Sequence, residues 1–331
     1  MHGFKNPIIA YPGGGKAMIA TPSLQIPLSA QELQESVREC RPVDPSRLDR
    51  ILRLDARRAL VEVQAGVTWK SLADHLRPGD ARARELPTTC TTVGNSIAWN
   101  AAGPDGRPTV AHVESLTLVT PDGQLRRVDR LTNPALFALA LGGQGLFGVL
   151  YSATLRVESL ARAVSEAELE TNIASAPASC LHLLVPPEQA DALVADIRSR
   201  CGEWRMPVEA VELRRVHPED ETVLRWAQRD YVEATIKFGE PATIGRAVRA
   251  TQLRRELIDL AIARGGTFPI ACTPEATRAQ TTACYPQLAA FLAEQRRIDP
   301  FEAMANAWLR HQRSLLGRQA CEVRWDRQAA G

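Results

Sequence analysis

The chain has 331 residues, 45% hydrophobic and 24% charged, proportions that suit a globular protein with enough mass for two domains. Lysine plus arginine number 40 against 38 for aspartate plus glutamate, so no global field draws it to nucleic acid or anionic lipid. The opening MHGFKNPIIAYPGGG lacks a signal-peptide pattern and no stretch approaches a membrane-spanning apolar length, so the expectation is a cytoplasmic protein without a membrane partner. Cys40, Cys90, Cys180, Cys201, Cys272, Cys284 and Cys321 form no C-x-x-C and have no ligand-spaced histidine, which gives no basis for a metal site.

In chain order, Pro7 to Ala10 reads as an apolar strand running into Gly13, Gly14, Gly15 and Lys16. A helix is predicted to follow up to Cys40, with Ser29 as its cap and Glu32 three residues on to complete a capping box. If it packs on the sheet, Leu33 and Val37 are its buried residues. Ala59 to Trp69 alternates with the period of a half-buried strand. Val113 to Asp129 reads as a hairpin around Pro121, Asp122 and Gly123. A short helix opens at Thr132 or Asn133 with Pro134 in its first turn and stops at Gly142, and a strand follows.

Beyond about Ala161 the pattern changes. Strand-like runs start at Leu181, Val208, Tyr231 and Thr267, and helical ones cover Pro187 to Cys201, Pro218 to Asp230 and Pro241 to Arg264. Such alternation predicts an antiparallel sheet with helices on one face. Glu275 to Arg297 reads as a helix broken or restarted at Pro286, and Phe301 to Leu316 as a last helix.

Three short segments carry the chemistry. Gly13 to Lys16 offers bare backbone and one positive charge, suited to a phosphate. Pro87, Thr88 and Thr89 lead into Thr91, Thr92, Val93, Gly94, Asn95 and Ser96, then Asn100 and Gly103. Gly142, Gly143, Gln144, Gly145, Leu146, Phe147, Gly148 and Val149 form the third. Together they resemble the flavin-binding half of the vanillyl-alcohol oxidase, or PCMH-type, FAD-linked oxidases. The resemblance implies an α+β protein: residues 1–158 as a PCMH-type FAD-binding lobe with a shortened N-terminus, 159–300 as an antiparallel-sheet-and-helix substrate lobe, and 301–331 as a helix returning to the first lobe with a tail.

It also implies non-covalent FAD held by Gly13, Gly14, Gly15, Lys16, Thr88, Thr89, Thr92, Gly94, Asn95, Ser96, Asn100, Gly103, Gly143, Gly145, Gly148 and Val149. The expected activity is oxidation of a small organic substrate by hydride transfer to the flavin. Near the C-terminus Ala276 to Arg278, Ala283 to Gln287, Asp299, Pro300, Trp308, Arg310 and His311 resemble the same oxidases. Thr273, Pro274, Ala307 and Leu309 stand where relatives carry polar groups, which implies a rather apolar substrate. Glu212 and Arg214, alternate residues of one strand and so on one face, are candidates to line the cavity, with His311 a third; no catalytic base is assigned. The alternatives are a reshaped homologue that runs a cofactor-independent isomerisation, cyclisation or elimination, and a non-catalytic partner of an intact flavoenzyme. The partner expected is a small-molecule substrate, and an oligomer is left open.

Overall fold

A computed structural model describes residues 24–76, 92–103, 105–157, 180–239 and 243–317. Its first lobe is a five-stranded antiparallel sheet of β1 (Ile51–Asp55), β2 (Leu60–Gln64), β3 (Val113–Val119), β4 (Leu125–Asp129) and β5 (Val149–Arg156), in the order β1-β2-β5-β3-β4. Alternation puts Val61, Val63, Leu116, Ala153 and Leu155 into one core. Against them pack Leu72 of α2 (Trp69–Leu76), Val93 and Ile97 of α3 (Val93–Trp99), and Phe137 of α4 (Pro134–Ala140).

The helix α1 (Ala30–Arg38) opens where its cap predicts: Ser29 Oγ accepts from the Glu32 amide at 3.2 Å. Glu32 reaches back to the Leu28 amide at 2.9 Å, one residue before the usual capping-box partner. Leu33 and Val37 are buried in a cluster with Leu48, Val119 of β3 and Met304, so this helix is part of the lobe's packing. The β3–β4 turn holds Gly123 at φ +72°, a left-handed angle that favours glycine, and its carbonyl accepts from Arg38 Nη2 at 3.2 Å.

The second lobe is a three-stranded antiparallel sheet, β6 (Cys180–Val185), β7 (Val208–Val216) and β8 (Tyr231–Phe238), in the order β6-β8-β7. Leu181, Leu183, Ala234 and Ile236 face α5 (Ala190–Glu203) and α6 (Ile244–Ala263), whose Leu193, Ile197, Leu253 and Leu257 complete the core. The model is therefore α+β, with antiparallel sheets and packed helices. The expected lobe boundary at residues 158 and 159 lies outside the described residues.

Three expected elements differ. Residues 218–230 form turns, because the Glu219 carboxylate accepts from the amides of Glu221 and Thr222, while the Glu219 amide donates to Ala227 O. Val223, Leu224, Trp226 and Ala227 are buried at helical spacing, yet from a segment that does not form a helix. The run from Thr267 makes a single bridge to Leu184 and then turns. The last helix, α9 (Ala307–Leu316), starts later than Phe301, since the buried Asp299 carboxylate draws in the amides of Ala303 and Met304, both at 2.8 Å. Pro286 does separate two helices, α7 (Arg278–Cys284) and α8 (Leu288–Ile298).

The C-terminal elements pack against the segment that enters β5. Phe291 of α8 meets Phe147 of the first lobe edge-on at 5.1 Å, Trp308 meets Phe291 at 6.3 Å, and Asn306 Nδ2 donates to Gln144 O at 2.9 Å.

Candidate functional site

Two of the three Gly-rich segments lie side by side. The carbonyls at the end of α3 accept from the next segment, Ile97 O from the Gly142 amide at 2.9 Å and Ala98 O from the Gln144 amide at 3.1 Å. Gly143 turns the chain after α4, Gly145 has φ +73° with open space where a Cβ would stand, and Gly148 and Val149 lead into β5 beside Val119. Gly13, Gly14, Gly15, Lys16, Thr88 and Thr89 lie outside the described residues.

The start of α3 is occupied by the protein itself. Thr92 Oγ1 accepts from the Asn95 amide at 3.2 Å, the Val93 amide donates to Val67 O at 2.8 Å, and the Gly94 amide donates to Ala65 O at 2.9 Å. A Cβ on Gly94 would come within 2.8 Å of Ala65 O, so glycine here lets helix and strand approach each other. Ser96 Oγ accepts from Trp69 Nε1 at 2.9 Å. As FAD donors these residues are a poor fit, since each amide already has a partner; the small side chains and the open Gly145 fit a ligand lying alongside.

Asn100 ends α3 in the left-handed region, φ 49° and ψ 42°, and is buried. Its Oδ1 accepts from the Val110 amide at 3.0 Å, its Nδ2 donates to Glu219 Oε1 at 3.3 Å, and its carbonyl accepts from Trp226 Nε1 at 3.1 Å. Burial pushes the Glu219 carboxyl up, against the hydrogen bonds it accepts from Thr222 and Glu221. Gly103 closes the next turn by donating to Arg107 O at 2.7 Å.

That turn meets the second lobe. Gly106 O accepts from the His217 amide at 2.8 Å, and Arg214 Nη1 reaches Ala102 O at 3.4 Å. Arg214 belongs to the sheet face opposite α5 and α6. The strand register sets it beside Glu233, with Thr235 and Lys237 further along β8, His182 on β6 and Glu212 on β7. Arg214 Nε donates to Glu233 Oε2, His182 Nδ1 lies 2.9 Å from Glu233 Oε1, and Lys237 Nζ donates to Glu212 Oε1 at 2.5 Å.

Glu233 is 2% exposed. Burial alone would raise its carboxyl, but the Arg214 charge and the hydrogen bond and charge of His182 hold it at about 2. Burial and the nearby Glu233 charge push the Cys272 thiol up to about 12. Cys272 belongs to the segment after Thr267, which Tyr285 and Trp308 pin: the Tyr285 hydroxyl donates to Phe268 O and accepts from the Ile270 amide, and Trp308 Nε1 donates to Ile270 O at 3.1 Å.

Glu212 and Arg214 thus stand on one face, each in an ion pair. His311 is half-buried on α9, and no hydrogen bond or ion pair among the described residues joins it to that network. His182, Glu233 and Thr235 had no motif to announce them. The available signal was a polar residue at every second position of the otherwise apolar run YVEATIKF.

A five-stranded antiparallel sheet with packed helices thus meets a second, helix-backed sheet through the loop after α3, where Ala102 O accepts from Arg214 and Gly106 O from the His217 amide. Residues 26–129, from the residue before Pro27 to the end of β4, match the family described as FAD binding domain. The chain is similar to decaprenylphosphoryl-beta-D-ribose oxidase of Mycolicibacterium smegmatis, 31% identical over 120 residues, which are 35% of this chain and 26% of that protein. It is similar to L-galactono-1,4-lactone dehydrogenase 2 of Oryza sativa subsp. japonica, 34% identical over 112 residues, 33% of this chain and 19% of the relative. An uncharacterized oxidoreductase of the Rhodococcoides fascians fasciation locus is 28% identical over 123 residues, 35% of this chain and 27% of that protein. The matches span about a quarter or less of these relatives' lengths. Residues 26–129, about a third of the chain, are thus similar to the FAD-binding domain of PCMH-type FAD-linked oxidases. Among the described residues no helix is long and apolar enough to cross a membrane.

Proposed function

We propose that the protein is a FAD-dependent oxidoreductase that oxidises a small organic substrate held between the α3 to Gly145 layer and the polar face of the second sheet. The observation that carries this reading is the contact of Arg214 with Ala102, which sets a charged sheet face against the loop that ends the FAD-domain helix. A bound flavin supplies a hydride acceptor, and the chain's residues orient the substrate and exclude water. FAD is held non-covalently, with the small-residue loops alongside it.

The substrate proposed is polar. The expectation of an apolar one rested on Thr273, Ala307 and their neighbours, whereas the sheet face beside the first lobe carries Arg214, Glu233, His182 and Thr235. Relatives named for a ribose derivative and an aldonolactone are in keeping with this.

A second reading, a reshaped homologue working without a cofactor, is favoured by one observation: the amides of Val93, Gly94 and Asn95 are all bonded within the protein. FAD titration followed by anaerobic reduction separates the two. Quenching of flavin fluorescence and bleaching of the flavin bands by a polyol or lactone support the oxidoreductase; no retention of FAD at saturating concentration selects the cofactor-free reading.

A further inference from the structure

The polar sheet face holds a histidine whose proton is fixed by its partners. Glu233 Oε2 accepts from Arg214 Nε, and Glu233 Oε1 faces His182 Nδ1 at 2.9 Å. An ionised carboxylate only accepts, so His182 Nδ1 must carry the hydrogen, which leaves Nε2 as a bare acceptor in the neutral ring. Thr235 Oγ1, 3.2 Å from the same Nδ1, adds a second contact to that edge. Among the described residues no group bonds Nε2, and the side chain keeps 14% of its exposure.

The remaining charges around the ring are paired. Lys237 holds Glu212, Arg214 holds Glu233, and the thiols of Cys180 and Cys272 are pushed up, chiefly by burial, so that they stay protonated. The face therefore offers dipoles and one basic nitrogen with no net charge. Such a surface suits a neutral, hydroxyl-bearing molecule better than an anion.

We propose that His182, oriented by Glu233, is the proton acceptor for a neutral hydroxyl-bearing substrate, an assignment that rests on the oxidoreductase reading. If bound, FAD would supply the acceptor that takes the carbinol C–H electron pair as hydride as the carbon becomes a carbonyl. The O–H bond breaks with its proton passing to His182 Nε2. His182 is the catalytic base, and Glu233 is a positioning residue that acts through it.

The test combines a ring measurement with a rate. The full chain, carrying ¹⁵N-labelled histidine, is examined by NMR, with the His182 signals among the six imidazoles assigned from His182→Asn. The wild type is expected to show the Nδ1–H tautomer at neutral pH. In Glu233→Gln the single carbonyl oxygen must face Arg214, so the amide NH₂ faces Nδ1 and the ring switches to Nε2–H. A purely structural role for Glu233 would not move this readout. An Nε2–H wild-type ring, or no switch in Glu233→Gln, overturns the proposal.

With FAD bound, anaerobic flavin reduction by a panel of alditols and aldono-1,4-lactones is expected to fall about 100-fold or more in His182→Asn and Glu233→Gln, the usual worth of general-base catalysis. FAD affinity is expected to stay as in the wild type. Undiminished rates in both variants, or no reduction of wild-type flavin by any of the panel, overturn the assignment. If the wild type retains no FAD, the oxidoreductase reading fails and the proton acceptor with it, while the tautomer still reports whether Glu233 sets the ring.

Discussion

The indole Nε1–H of Trp226 donates to the backbone carbonyl of Asn100 at 3.1 Å, tying a turn-rich loop of the second lobe to the left-handed residue that ends α3. The Asn100 side chain joins the same two parts, through Val110 on its own lobe and Glu219 on the other. Asn100→Ala would leave the Val110 amide without its acceptor and a Cβ-bearing residue with no local hydrogen bond in the left-handed region. The expected loss is about 2 to 4 kcal/mol, read from urea unfolding.

Gly94→Ala is expected to destabilise the chain with no ligand present. The new methyl would sit 2.8 Å from Ala65 O and 3.1 Å from Ala65 Cβ, in backbone that has no room to yield. A cost of about 1 to 3 kcal/mol is expected from overpacking. Thermal unfolding of the FAD-free protein is the measurement; a melting temperature equal to the wild type's, with FAD retention alone lost, would return Gly94 to a cofactor role.

Acid should weaken the fold through Glu233. Its folded-state carboxyl lies at about 2, below the ordinary 4.5, so the stability it contributes is complete above about 4.5 and is lost as pH falls through about 2. The contribution is at most about 3 kcal/mol. Urea midpoints measured down this range should fall more steeply for the wild type than for Glu233→Gln, and parallel curves would remove Glu233 from the account.

Tyr285→Phe tests the pin on the segment after Thr267. The Tyr285 hydroxyl is buried, donates to Phe268 O and accepts from the Ile270 amide at 3.3 Å. Removing it leaves both backbone groups unpaired away from water, with an expected loss of about 1 to 3 kcal/mol. Hydrogen exchange at Ile270 should accelerate in the variant, and unchanged protection there would count against the pin.

The sequence by itself determined the local devices. Ser29 as a cap, the Gly123 turn, the break at Pro286 and the alternation of Val61 and Val63 rest on interactions within a few residues, so short patterns reveal them. The family resemblance was legible for the same reason in the Thr, Gly and Asn run from Pro87 to Gly103, which lies within the matched residues 26–129, while the Gly13 and Gly142 segments lie outside them. Tertiary structure decided what those segments touch. The sequence marks Gly94 only as a small residue of the Thr-rich run, and the fold sets its amide on Ala65 O, while 218–230 reads as a helix until Glu219 binds its own loop and Asn100. The His182, Glu233 and Arg214 network spans three strands separated by up to about fifty residues, and only strand register places its members together. A charge buried by its neighbours takes its character from partners remote in the chain, and no local pattern encodes those partners.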